Sequence, residues 1–578
     1  MNVFSARSRT LAAIAAIGVL LGATGVAYAD ASSAQYRGCD GYGAASGEGD
    51  GMTEIASVLL IFNPIGYGNT GKSSTSVGED GVADCDAALA DLPEKHWMRK
   101  FSLLRARAMH RLENYDALGA LEDVDLAAAV AKGHDDAYFA RSLGLGLDIV
   151  RAYALRINAK QHDAETVAMQ AAGARPYSRQ VQLSALIAMG PGVDPADADT
   201  VRRAIARLVP TEVDALFLDA FDSGRFAEAL ALYPQLAPPE EIGNINLSSS
   251  ERAEREWRDF ENAQEFWAWR GGANAYALAA LGRNAEARVS LDAARSRLAL
   301  TTQPPPPLSA ADEKDTEAQA LHRGAIDIRL QAAAQAGKIL DEWSSMVERR
   351  IMVSDGKLKE VMATLQTQPL VHSFAAVDLL ESIIAKLPEK ERPANSPTKA
   401  MREKLAKERV EALQVQPSAL FKSLPEPETA SRIPPYEEAS TPLLAMEGSR
   451  ADIDTEGYRI SDPDAQGIVT VSYRGIRAGD STVEEMALLC AADVARKAGK
   501  KGMIVLHRMD VRYTVTTETG YMVPVRKDPD GYQTELKVVF VDPAALPRQY
   551  VDAAWRVIDT DALYAALSPF YIRPAKHN

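Results

Sequence analysis

The sequence predicts a mainly α protein, an array of helical hairpins followed by a small C-terminal α+β domain. Three observations predict it. From Cys85 to about Lys390, alanine and leucine recur at helical spacing with short breaks. Within that stretch, alanines return with the same phasing in separate places. From about Gly448 the apolar period changes to the two-residue alternation of strands. The organisation expected is a signal peptide (1–29), a Gly/Ser-rich segment (30–84), the helical array (85–390), a Pro-rich linker (391–447) and the α+β domain (448–578).

The N-terminus reads as a secretory signal. Arg7 and Arg9 form a basic start, Leu11 to Val26 is apolar, and Ala27-Tyr28-Ala29 is the small-x-small pattern of signal-peptidase cleavage. Cleavage after Ala29 and a periplasmic location are expected, and no later segment has the apolar length of a membrane span. With 64 basic against 79 acidic residues, the net charge of −15 gives no general handle on nucleic acid or anionic lipid. The chain has 3 cysteines. Cys39 and Cys85 flank the Gly-rich segment and are the natural disulfide pair in an oxidising compartment. Cys490 falls on the apolar side of an expected helix and reads as a buried thiol. No zinc spacing is present, and no metal or cofactor is expected.

The helical array rests on its alanines. Ala108, Ala120 and Ala127 are spaced 12 and 7 apart, as are Ala152, Ala164 and Ala171 (then Pro176), and Ala275, Ala287 and Ala294, with Gly282 at the turn. A fourth, shorter copy runs from Gly224 to Tyr233, where Pro234 ends the second helix. Small residues suit points where two helix axes approach closely. Over Cys85 to Leu298 this pattern resembles the tetratricopeptide repeat, although the usual Trp-x-x-Leu-Gly opening is absent and the copies are unevenly spaced. The resemblance implies a concave groove lined by the first helix of each pair. Its phasing puts Arg105 and Met109, Tyr153 and Arg156, and Trp269 and Tyr276 on that face, and aromatics with arginine suit peptide capture. Trp257, Trp267, Trp269, Phe260 and Phe266 also cluster, which fits core packing or a binding patch.

The linker is dense in proline, from Pro393 to Pro442, and reads as semi-extended. Beyond it, Gly467 to Tyr473 alternates as a strand with Val469, Val471 and Tyr473 inward. Ser481-Thr482-Val483-Glu484-Glu485 offers capping boxes for a helix running to Ala498. Met503 to Thr516 reads as a strand with His507, Met509, Val511, Tyr513 and Val515 inward. Asp528-Pro529-Asp530-Gly531 reads as a turn, Tyr532 to Val541 as a strand, and Asp559 to Leu567 as a closing helix. The text from Gly457 through Leu506 resembles small bacterial envelope proteins, many of them lipoproteins, which share a strand, a helix of the form LL-x-AA and a following strand. That resemblance carries no activity with it.

Several motifs fall short of chemistry. Gly66 to Ser73 fits G-x-x-x-x-G-K-S, but the text after Lys72 is a poor helix, and a phosphate loop needs one. Asp452 to Gly457 opens like a calcium loop, yet Pro463 stands where the bidentate Glu belongs. Ser396-Pro397-Thr398-Lys399 matches S-x-x-K inside the linker, where nothing rigid positions it. No histidine pairs into H-E-x-x-H. No coherent catalytic set emerges. The sequence therefore points to an exported, periplasmic adaptor that holds a protein or peptide partner in its helical groove. The alternative is an envelope enzyme or small-molecule binder with a site in or beside the C-terminal domain.

Overall fold

The computed structural model describes residues 34–42, 75–134, 136–236, 250–309, 312–367, 370–393, 397–412, 415–428, 457–475, 478–517 and 526–572. The signal segment, the Gly66–Ser73 loop, Ser396 and Asp452–Glu456 lie outside these. The chain divides into two compact units. Unit 1 joins the chain up to Val209 with Leu413–Leu546 and the stretch from Arg556, and unit 2 joins Pro210–Ala412 with Pro547–Trp555. The boundaries expected near 390 and 447 thus do not delimit compact bodies. The helical array is split at Val209, and the C-terminal α+β part belongs with the first hairpins.

Unit 1 begins with α1 (34–40). It continues through α2 (Gly78–Asp91), α3 (Trp97–Glu113), α4 (Ala117–Ala131), α5 (Ala137–Phe139), a π turn (Ala140–Gly144), α6 (Leu145–Ile157), α7 (Gln161–Ala174), α8 (Arg179–Met189) and α9 (Pro195–Leu208). A Cys39–Cys85 disulfide ties α1 to α2, as expected from the cysteine arithmetic. The segment read as loop over 30–84 is therefore helical at both of its described ends. Ala108, Ala120, Ala127, Ala152 and Ala164 are all fully buried, at the α3–α4 and α6–α7 contacts.

Unit 2 contains α10 (Val213–Asp222), α11 (Phe226–Leu232), α12 (Ser250–Ala280), α13 (Asn284–Thr301), α14 (Thr316–Ser354), α15 (Leu358–Thr367), α16 (Ser373–Lys386) and α17 (Pro397–Ala412). Its centre is aromatic. Trp343 is fully buried, stacks on His372 at 3.9 Å, and meets Trp269 and Phe221 edge-on. Gly272 makes room for it, because a Cβ there would lie 2.0 Å from the Trp343 ring.

One turn recurs in both units. Tyr115, Ala159, Gly224, Gly282 and Gly356 all adopt positive φ between paired helices. In each case the next residue's N–H donates back to a carbonyl five residues earlier, as from Asp116 to Arg111, Lys160 to Leu155 and Arg283 to Leu278, each at 2.9 Å. This is the Schellman closure, which satisfies the carbonyls orphaned at a helix end. Five hairpins, α3–α4, α6–α7, α10–α11, α12–α13 and α14–α15, share it.

The remainder of unit 1 carries α18 (Pro417–Ser423), β1 (Gly457–Ile460), β2 (Ile468–Gly475), α19 (Asp480–Lys497), β3 (Gly502–Thr517), β4 (Arg526–Val541), β5 (Ile558–Asp559) and α20 (Thr560–Tyr571). The five strands form an antiparallel sheet in the order β1-β2-β4-β3-β5. Apolar residues of α19 and α20 pack on it together with Leu208, Tyr138 and Tyr177 from the helical part. Val469, Val471, Tyr473 and Cys490 are buried as expected.

Four expectations change here. The region read as linker holds two helices, α17 and α18. The Asp528–Gly531 turn is instead part of β4, which pairs with β3 across a register shift between Tyr513 and Thr514. A second shift, between Val505 and His507, inverts the outer half of β3. Met509 is consequently 42% exposed, and Arg508 takes the covered side, its guanidinium on Glu484. A one-residue slip exchanges the two faces of a strand, and a bulge does the same locally. Lastly, no side chain caps α19; Ser481, Thr482, Glu484 and Glu485 turn into the interior instead.

Candidate functional site

The first helices of three successive hairpins in unit 1, α3, α6 and α8, face a segment of the same chain, residues 415–428. Leu420, Phe421 and Leu424 of that segment are buried in the hairpin core with Met109 and Tyr153. Three helix side chains hold it by its backbone carbonyls. Tyr153 Oη donates to the Val415 carbonyl at 2.9 Å, Ser184 Oγ to that of Ser423 at 2.7 Å, and Gln180 Nε2 to that of Leu424 at 3.2 Å. His110 meets Phe421 edge-on. Carbonyl recognition of this kind does not depend on the bound side chains, so the groove grips a peptide main chain.

Those contacts locate four of the six residues predicted to bind a partner. Met109 and Tyr153 are buried where the segment lies. Arg105 is 4% exposed, and its Nε and Nη1 make no hydrogen bond. Burial lowers its pKa to about 10. Gly146 stands opposite it: a Cβ there would sit 2.4 Å from Arg105 Nη1 and 3.8 Å from Pro425 Cδ. Arg156 is half-buried, donates to the Ala188 carbonyl at 3.0 Å and lies over the Tyr153 ring. The other two belong to unit 2 and serve its core. Tyr276 is fully buried and donates to the Ala375 carbonyl, and Trp269 packs between Phe221 and Trp343. An open partner groove lined by all six is therefore not what this structure contains.

Glu428 ends the segment in a buried charge network. Arg175 donates to Glu428 at 2.7 Å and to Glu485 at 2.9 Å, Arg141 pairs with both carboxylates, and Thr482 and Tyr571 hydroxyls add one bond each. Burial alone would raise the Glu485 pKa. Arg175 and Arg141 outweigh it and hold the carboxyl at about 2. Sequence reasoning missed this network because its members are spread from Arg141 to Tyr571.

Each unit also has one concave site among the described residues that bears on function. Beside α19, a cavity of about 170 Å³ is lined by Arg179, Asp480, Arg512 and Tyr532 among others. Tyr532 Oη donates to Glu426 at 3.0 Å. Burial, with Glu426 close by, pushes the Asp480 carboxyl up to about 7. In unit 2 a cleft of about 410 Å³ lies between Trp267 and Tyr233. Among the described residues no cluster of His, Cys, Asp or Glu is arranged to hold a metal ion, and no helix is long and apolar enough to cross a membrane. Comparison of the chain with family models, with curated proteins and with solved structures finds no match.

Proposed function

We propose that this protein is an exported, periplasmic adaptor of tetratricopeptide-like architecture whose unit 1 groove is a peptide receptor. The observation that carries the reading is the grip on residues 415–428 through three main-chain carbonyls. Supporting it are the recurrent hairpin turn and the buried alanines at spacings of 12 and 7. Export is supported by the Cys39–Cys85 disulfide and the signal-like N-terminus. The chain fills the groove itself, so a partner segment engages by replacing residues 415–428. The test uses the full mature chain with Leu420→Ser and Phe421→Ser, which weakens the internal occupant, and a labelled peptide of the natural 415–428 sequence. Binding in trans is expected at a Kd on the order of 10 μM, and at least about 100-fold weaker to the unaltered chain. No binding to the double variant, with its helicity retained, contradicts the proposal.

A second reading, a small-molecule or catalytic site in the C-terminal part, is favoured by one observation. Asp480 and Tyr532 line the cavity beside α19 together with Arg179, Arg508 and Arg512, and the Tyr532 hydroxyl donates to Glu426. Lined by Arg179, Arg508 and Arg512 against Asp480, Glu484 and Asp510, it is charge-balanced and cramped, which suits a small zwitterionic ligand. Saturable binding of a small zwitterion such as glycine or serine, lost in Asp480→Asn, is the expected result; no saturable binding at pH 8 rejects it.

A further inference from the structure

The unit 2 cleft presents hydrogen-bond donors with nothing to receive them. Trp267 Nε1 is buried and makes no hydrogen bond. An indole N–H can only donate. Gln264 is 4% exposed, and its amide oxygen accepts from the Thr301 hydroxyl at 2.6 Å. That bond leaves the Nε2 hydrogens unassigned at the cleft wall. The Arg297 guanidinium lies 4.2 Å over the Trp267 ring and makes no ion pair among the described residues. A guanidinium stacked on a ring still offers its edge donors to an anion. No acidic residue lines the cleft.

The rest of the wall is apolar and small. Ala268, Ala293 and Ala294 form one side, with Leu298 and Leu236 beyond them. Larger residues at these alanines would fill the space, so the volume of about 410 Å³ exists because of them. That is the size of a small-molecule site, apolar over most of its surface with a few convergent polar groups.

We propose that this cleft binds a small amphiphilic monocarboxylate, its apolar body between Trp267 and the alanine wall and its carboxylate against Arg297 and the Gln264 amide. The site does not depend on the adaptor reading. A carboxylate supplies acceptors and no donors, which suits the unmatched Trp267 N–H, the Gln264 amide and the exposed Arg297 guanidinium. A neutral alcohol of the same body leaves the guanidinium unanswered, and an amine repels it.

The experiment is a titration of the mature chain, followed by tryptophan fluorescence and calorimetry, with 4-phenylbutyrate, decanoate and indole-3-acetate, against 4-phenylbutanol as the uncharged control. Saturable binding of at least one acid is expected, with 4-phenylbutanol about tenfold or more weaker than 4-phenylbutyrate. Arg297→Gln is expected to weaken the acids about tenfold while leaving 4-phenylbutanol unchanged. Ala293→Leu, at an exposed position, is expected to abolish binding of all probes with the melting curve preserved. Failure of all three acids to bind, equal affinity for acid and alcohol, or unchanged binding in Ala293→Leu overturns the assignment.

Discussion

Units 1 and 2 use the same hairpin turn and reach opposite ends. In unit 1 the inner surface is closed by the chain's own residues 415–428, and the closure is locked by Arg141, Arg175, Glu428 and Glu485, two cations matched to two carboxylates. In unit 2 the interior is a nearly uncharged aromatic cluster around Trp343, and the adjoining cleft is left open with donors unmet. The difference teaches that the repeat dictates local geometry, whereas occupancy is decided by sequence outside it. A buried charge matched in kind and number closes a groove. A buried N–H left without an acceptor, as at Trp267, marks a place for something else.

The largest effect expected comes from breaking that match. Glu485→Gln leaves Arg141 and Arg175 with Glu428 as their one shared carboxylate and is expected to cost about 3–5 kcal/mol, read as a fall in the denaturation midpoint. The wild-type contribution of this carboxylate carries a pH signature. Its folded pKa of about 2 lies below the ordinary value of 4.5, so the stabilisation is present above that value and is lost as pH falls toward 2. Acid titration of wild type against Glu485→Gln checks both. Gly272→Ala strikes the other unit by pressing a methyl into Trp343, at a cost of about 1–3 kcal/mol. If the units are as distinct as their interiors suggest, calorimetry of these two variants shifts different parts of the unfolding profile.

Asp480→Asn is expected to act in the opposite sense. With a folded pKa near 7 against an ordinary 3.8, Asp480 binds a proton in the folded chain that it has lost in the unfolded one over this window. Stability therefore declines as pH rises from about 4 to 7. The amide removes that decline, giving on the order of 1–3 kcal/mol at pH 8 and nothing at pH 3.5. The smallest effect is that of Arg105→Leu. A buried guanidinium with two unsatisfied nitrogens contributes little, so the change is expected to fall within about 1 kcal/mol of neutral or to stabilise. A loss of several kcal/mol shows instead that Arg105 has a partner that matters in solution.

Much of this was legible in the sequence. The alanine spacings placed the hairpins, the two cysteines flanking the Gly-rich segment placed the disulfide, and the phasing put Arg105, Met109, Tyr153 and Arg156 beside residues 415–428. Its occupant was not legible. Pro417, Pro425 and Pro427 mark the segment as linker, and a two-turn helix with apolar anchors at Leu420, Phe421 and Leu424 is too short to register as core. The inverted half of β3 was hidden for a related reason. Alternation is read from composition, and the slip near Leu506 leaves the composition unchanged while exchanging the faces of Arg508 and Met509. Tyr276 failed as a groove residue because its hydroxyl finds Ala375 and Asp378 on α16, an element with no clean repeat.

The most direct test of the account is a cross-link. Ser184 Oγ and Ser423 Oγ lie 3.0 Å apart, one on α8 and one at the end of α18. A chain carrying Ser184→Cys and Ser423→Cys, oxidised mildly at low concentration, is expected to form this disulfide within one molecule, nearly to completion. Each single variant should leave its thiol titratable. If the two thiols remain free under conditions that preserve the Cys39–Cys85 bond, residues 415–428 do not occupy the groove, and the account of unit 1 as a receptor filled by its own chain is wrong.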